Sequence, residues 1–184
     1  RTYRRQLHTA PSPAPQRLSP TALARCGWSE RCSKDLLMRI DLLCTNPAHP
    51  VVPVLRGWMA KRASAHHVRL IHDKSELAYG DILYLVSCSQ LIGREDRARY
   101  AHVLVLHASN LPEGRGWSPH VWDILAGKED LTVSLLTAED SVDTGAIWAK
   151  RRFLVPKHAL YDEINDLLFQ AELDLMDLGI EMVA

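Results

Sequence analysis

The heptapeptide Asp81-Ile-Leu-Tyr-Leu-Val-Ser87 is apolar almost without interruption. A strand with one wet face would alternate polar and apolar residues, so this one reads as a central strand covered on both faces, the habit of parallel sheets. Towards the N-terminus, His67-Val-Arg-Leu-Ile71 is a second strand candidate. Residues 51–63 are long enough for a helix, with Pro53 in the first turn, where its missing N–H is tolerated. Met38-Arg-Ile-Asp-Leu-Leu-Cys44 is a further short apolar run that enters a loop at Thr45-Asn46-Pro47. Towards the C-terminus, residues 99–106 end in Val103-Leu-Val-Leu106, and residues 117–126 make a short helix that stops at Gly127. Residues 131–136 and 147–155 are two more strands. A helix over residues 159–177 closes the pattern, with Leu160, Ile164, Leu167, Leu168, Ala171, Leu175 and Leu178 as its apolar stripe. Strands alternating with helices predict an α/β domain with a mostly parallel sheet flanked by helices.

The 184 residues suit one domain, and their 22 basic and 22 acidic side chains sum to zero. That zero averages two unlike parts. Residues 1–37 hold seven basic residues, two acidic ones and four of the ten prolines, with no helical or strand period. They are expected to form a disordered, basic, Pro-rich leader: either an organellar transit peptide or a stretch outside the working protein, with the boundary at Met38. Residues 38–184 are the expected folded domain, net −5. Cys26, Cys32, Cys44 and Cys88 are too few and too scattered for a disulfide scaffold. No run reaches the roughly 20 apolar residues a membrane helix needs. The expected setting is cytoplasmic, or organellar if the leader is a transit peptide. His66, His67 and His72 lack zinc-like spacing, so no metal site is expected.

In open parallel sheets ligands bind beyond the carboxyl ends of the strands. The loop after the fourth strand reads His107-Ala-Ser-Asn-Leu-Pro-Glu-Gly-Arg-Gly-Trp-Ser-Pro119. A histidine at the end of an apolar strand stands between buried support and solvent, where its imidazole can act as acid, base or electrophile. Glycines on both sides of Arg115 and prolines at both ends give the loop a fixed course whose backbone can approach a ligand. About 36 residues after the histidine, Glu139-Asp140-Ser-Val-Asp143-Thr144-Gly145 forms an acidic turn between two strands.

Taken in order, residues 105–116, the short helix, Gly127, Leu131-Thr-Val-Ser-Leu-Leu136 and Ser141-Val-Asp-Thr-Gly145 resemble the folate-dependent formyltransferase family. The resemblance runs from about residue 38 to about residue 178 and implies a Rossmann-like domain. It further implies transfer of a formyl group from 10-formyltetrahydrofolate to an amine, using an Asn, a His and an Asp. His107 matches the histidine of the family's His-x-Ser-x-Leu-Pro motif, and Asp143 the aspartate of its Asp-x-Gly turn. The Asn position, two residues before the histidine, is Val105 here. Asn110 does not occupy that position, and the role is not transferred to it. The resemblance places the pterin against Gln90, Leu91 and Ile92 and beside Glu139 and Asp140. It assigns the acceptor side to residues 110–118, with Asn110 and Arg115 as substrate contacts. Trp117, Trp122 and Trp148 are expected to pack, Cys88 to be unreactive, and Arg151 and Arg152 to be solvated.

The acceptor implied by this version of the loop is an amino-sugar nucleotide or another small amine. A methionyl-tRNA acceptor ranks below it, because residues 38–184 are acidic and no C-terminal β-barrel of the kind used to grip tRNA is evident. A formyltetrahydrofolate hydrolase and a non-catalytic folate-binding relic stand as further alternatives.

Overall fold

The computed structural model describes residues 37–184, so all of the expected leader except Leu37 lies outside the described residues. The elements, in chain order, are β1 (Arg39–Leu43), α1 (Val51–Arg62), β2 (His67–Ile71), β3 (Gly80–Leu85), α2 (Arg94–Arg97), β4 (Tyr100–His107), α3 (Pro119–Leu125), β5 (Asp130–Thr137), β6 (Ile147–Leu154) and α4 (Tyr161–Val183). A single turn of 3₁₀-helix, Lys74–Glu76, precedes β3, with Asp73 as its N-cap.

The six strands form one sheet in the order β2-β1-β3-β4-β5-β6. Pairings from β2 to β4 are parallel, whereas β4–β5 and β5–β6 are antiparallel. Only β5 therefore runs against the rest, and the sheet is mostly parallel, as the alternation of elements implied. β3 is central and carries apolar residues to both faces. Ile82, Tyr84 and Val86 join Ile40, Leu42, Leu104 and Leu135 in the larger core, which α1 and α4 cover with Leu55, Trp58, Leu168, Phe169, Leu175 and Met176. Leu83 and Leu85 point the other way, into a smaller cluster with Ile71, Leu77, Ile92, Tyr100 and Val103. At the edge of that cluster the buried Asp41 carboxylate accepts two hydrogen bonds from the Arg69 guanidinium, at 2.8 and 2.6 Å, and one from the Tyr100 hydroxyl.

The closing helix runs 23 residues, to Val183. Its buried face is Leu168, Phe169, Ala171, Glu172, Leu175, Met176, Gly179 and Ile180. Leu160 and Leu178 are exposed: Leu160 stands before the helix as its N-cap, and Leu178 falls between the buried Met176 and Gly179 on the outer side of the stripe. The Tyr84 hydroxyl donates a buried hydrogen bond of 2.7 Å to the Met176 carbonyl, tying the central strand to this helix. Gly179 lies against the same hydroxyl, where a Cβ would collide with it.

Candidate active site

The carboxyl ends of β1, β3 and β4 open onto a cavity of about 770 Å³ that α3, α4 and the turn after β5 complete. Parallel pairing of β1, β3 and β4 brings their following loops to one edge. The first two loops are tied together: the Thr45 hydroxyl lies 2.9 Å from the Ser89 hydroxyl and accepts the Ser89 N–H at 2.9 Å. Among the described residues, the three non-glycine residues in the left-handed region are Ser87, Ser118 and Asp143, and all three line this cavity. Such conformations cost roughly 1–3 kcal/mol each and persist where surrounding structure enforces them, commonly at ligand sites.

His107 ends β4, with its ring buried against the sheet. Its Nε2 lies 2.8 Å from the Gly114 carbonyl, and because a carbonyl only accepts, that contact fixes a proton on Nε2. Its Nδ1 faces the Asp143 carboxylate at 3.5 Å, with both side chains more than nine-tenths buried. The other Asp143 oxygen accepts the Gly116 N–H at 3.0 Å. One loop thus holds both members of the pair, and its own course is fixed by several bonds. The Ser109 hydroxyl donates to the Glu113 carbonyl at 2.9 Å, the Ser134 hydroxyl donates to the Ser109 carbonyl at 2.7 Å, and Lys150 donates to the Leu111 carbonyl at 2.6 Å. On the Asp143 side, Gly145 is required because a Cβ there would run into the Thr137 carbonyl.

Of the residues singled out in the sequence, His107, Asp143, Gln90, Leu91, Ile92 and Glu139 line one cavity. Leu91 is exposed at its rim, while Ile92 belongs to the smaller core. The Gln90 side chain is engaged away from the opening: its carbonyl oxygen accepts the Lys74 N–H at 2.8 Å and its amide donates to Asp73 at 2.6 Å. Asp140, Asn110 and Arg115 do not line the cavity. Asp140 is drawn outward by Arg97 and Arg94, whose hydrogen bonds, and then charges, hold its carboxyl below the usual range. The Asn110 side-chain oxygen accepts a 2.8 Å bond from Lys150, and Arg115 is exposed on the loop. Val105, in the position that the resemblance gives to an asparagine, lines the cavity with an apolar side chain. Trp117 and Trp122 are exposed rather than packed, whereas Trp148 is half-buried, edge-on to His102. Arg151 and Arg152 are exposed and ion-paired with Asp174 and Asp130.

Sequence reasoning missed the opposite wall. His120 on α3 and Asn165 and Glu172 on α4 line the cavity, and each has a buried polar atom with no partner among the described residues: His120 Nδ1, Asn165 Nδ2 and Glu172 Oε2. Buried polar atoms are almost always satisfied, so three orphans on one wall mark a place for a ligand or ordered water. Burial alone pushes the Glu172 carboxyl up to about 8. It pushes His120 and His49 down; at His120 the nearby Asp123 carboxylate opposes the shift, and the charges of His107 and His49 add to it. Among the described residues, no Lys or Arg lines the cavity. Among the described residues, no group of three or more His, Cys, Asp or Glu is placed to hold a metal ion, and no helix is long and apolar enough to cross a membrane.

Comparison with known proteins agrees with this geometry. A methionyl-tRNA formyltransferase of Finegoldia magna is 30% identical over 102 residues, covering 55% of this chain and 33% of that protein. The chain spans about a third of the length of that relative. Among solved structures, a methionyl-tRNA formyltransferase from Clostridium thermocellum superposes with a TM-score of 0.67 at 22% identity, covering 79% of this chain and 65% of that one. The formyltransferase PseJ from Anoxybacillus kamchatkensis, solved in complex with UDP-4,6-dideoxy-4-formamido-L-AltNAc and tetrahydrofolate, superposes at 0.60 with 19% identity, covering 79% and 76%. At these identities the superpositions establish the fold. Residues 41–177 match the family described as Formyl transferase, about three-quarters of the sequence, and the chain belongs to that family.

Proposed function

We propose that the protein transfers the formyl group of 10-formyltetrahydrofolate to the amino group of a small acceptor, an amino-sugar nucleotide in the first instance. The observation that carries this reading is the His107–Asp143 pair, buried at the carboxyl edge of the sheet and facing a cavity bordered by the Ser87 to Ile92 loop. The amine attacks the formyl carbon, and charge develops on the formyl oxygen as the tetrahedral intermediate forms. Asp143, which accepts hydrogen bonds only, is suited to take the proton the amine must lose. His107, with a proton on Nε2 and the carboxylate behind Nδ1, is the donor this reading assigns to the formyl oxygen, and the proton that Asp143 takes ends on the departing folate nitrogen. The cavity can take a folate headgroup: its Ser87 to Ile92 side offers backbone polar groups of an irregular loop, and Glu139 offers a carboxylate to a ring N–H. Glu139, Leu91 and Ile92 would border the pterin, with the backbone of Gln90 beside them. Asp140, Asn110 and Arg115 would act from outside the cavity.

The wall of Asn165 and Glu172 favours a sugar over tRNA. Glu172 is neutral at pH 7 and can exchange hydrogen bonds with hydroxyl groups, and a cavity without Lys or Arg offers nothing to a phosphate chain. The phosphates of a nucleotide would lie outside, within reach of the exposed Arg115. The methionyl-tRNA reading is kept because the curated relatives bear that name. The test is to incubate the full chain with 10-formyltetrahydrofolate and, separately, UDP-linked amino sugars, methionyl-tRNA or water, following tetrahydrofolate release. Release with an amino sugar is expected. Release only with methionyl-tRNA or only with water would replace the proposed acceptor, and no release under any condition would remove the activity.

A further inference from the structure

We propose that the Trp117 indole is the platform on which the acceptor's sugar ring lies, face to face beside the amine, and that it sets the preference of the site for an amino sugar. The inference rests on the reading above and deepens it by naming the side chain that meets the sugar. Trp117 is 73% exposed and lines the cavity, whereas Trp122, 68% exposed, does not. An indole left in water forgoes the stabilisation that burial of so large an apolar surface would give. The backbone on both sides holds it there. Gly116 before it (φ +98°) and Ser118 after it (φ +46°) are both in the left-handed region. Gly116 is fixed by its N–H, which donates to the Asp143 carboxylate at 3.0 Å, and Ser118 by the buried Pro119 that starts α3.

The bond from Gly116 decides what the indole meets. Trp117 is one residue from the N–H held by Asp143, and the reading above brings the acceptor amine to that carboxylate. The part of the acceptor next to its amine therefore passes the indole, while the pterin is given to the loop after β3. Charge complements this placement. Glu139, Asp143 and Glu172 line the cavity, with no Lys or Arg among the described residues. An indole presents the negative side of its ring quadrupole, and C–H groups beside a protonated amine are polarised positive. A sugar ring offers such C–H groups on its face and hydroxyls at its edge. The indole suits the face, and the buried Asn165 Nδ2 and Glu172 Oε2, without partners among the described residues, suit the edge. Val121 and Tyr161, also exposed and lining the cavity, extend the apolar surface around the indole.

The experiment uses the full chain and has two parts. With the UDP-linked amino sugar turned over in the panel above, Trp117→Ala is expected to raise the acceptor KM about 5- to 30-fold while leaving kcat and the KM for 10-formyltetrahydrofolate within about twofold. Trp117→Phe, which keeps a ring face, should recover most of the loss, and Trp122→Ala, which removes a comparably exposed indole outside the cavity, should change nothing. An acceptor KM within about twofold of the parent in Trp117→Ala overturns the assignment. A rise confined to the KM for 10-formyltetrahydrofolate gives the indole to the folate and also overturns it. The second part is independent of turnover: saturation-transfer NMR with UDP-glucosamine as the probe, on the unaltered protein and on Trp117→Ala. Saturation strongest at the glucosamine ring protons and lost in the variant supports the contact. Saturation strongest at the uracil protons, a pattern the variant leaves unchanged, or no saturation at all overturns it. If no acceptor in the panel is turned over, the formyl-transfer reading fails while the NMR comparison still decides Trp117.

Discussion

The two walls of the cavity are built on opposite plans. On the sheet side, His107 and Asp143 are held by protein: a carbonyl on one ring nitrogen, a carboxylate on the other, and the Gly116 N–H on the carboxylate. On the helix side, His120, Asn165 and Glu172 each keep a buried polar atom without a partner. A satisfied group keeps its position whether or not substrate is present, which suits atoms that must be aligned before chemistry begins. An unsatisfied group destabilises the free protein and regains the loss on binding. Under the proposed function, the difference assigns the reaction to the sheet wall and recognition to the helix wall.

The largest effect expected from breaking this contrast is on the sheet wall. Asp143→Asn should lower turnover by about 10²- to 10⁴-fold with little change in thermal midpoint. Asparagine tolerates the left-handed backbone of this position and can still accept the Gly116 N–H, so only the proton-accepting function goes. A parallel drop in midpoint would show that the pair is structural. On the helix wall, Glu172 predicts a pH dependence of stability. The folded protein keeps this proton to about 8, whereas the unfolded chain loses it near 4.5, so between those values the folded state binds more protons. Stability should therefore fall as pH rises through that window, by up to about 1.4 kcal/mol per unit. Glu172→Gln should flatten that dependence in urea titrations between pH 5 and 8, and an unchanged slope would refute the assignment. Gly179→Ala should destabilise by about 1–3 kcal/mol, because the added methyl meets the Tyr84 hydroxyl, and should disturb binding before chemistry. The smallest effect is at the rim. Arg115→Ala should raise the KM for a nucleotide-linked acceptor by a few-fold, roughly the value of one exposed charge contact, without altering stability.

The elements were legible because β3 carries its two-faced burial openly in Asp81-Ile-Leu-Tyr-Leu-Val-Ser87, and its neighbours alternate with helices long enough to show a period. His107 and Asp143 could be found because strand ends and tight turns leave local marks, an apolar run before one and Thr144-Gly145 after the other. The helix wall left weaker marks. Glu172 sits four residues after Leu168 and three before Leu175, and a glutamate inside an apolar stripe was the one signal available. His120 fell within the short helix expected over residues 117–126, but α3 has only seven residues, too few for a period that would single it out. The same brevity explains the exposure of Trp122, while Trp117 stands on the loop before the helix. The resemblance sets Asp140 beside the pterin, whereas its position is set by Arg97 and Arg94 on α2, a helix of four residues that no periodicity could announce.

The bond from Tyr84 to the Met176 carbonyl has a bearing on how such a protein can change over generations. It ties the rotation of α4 to the core one turn beyond Glu172. Side chains at positions 165, 169 and 172 can then be exchanged with the helix held in one register, so a new acceptor can be accommodated one residue at a time. The chemistry on the sheet wall need not be rebuilt when the clientele changes.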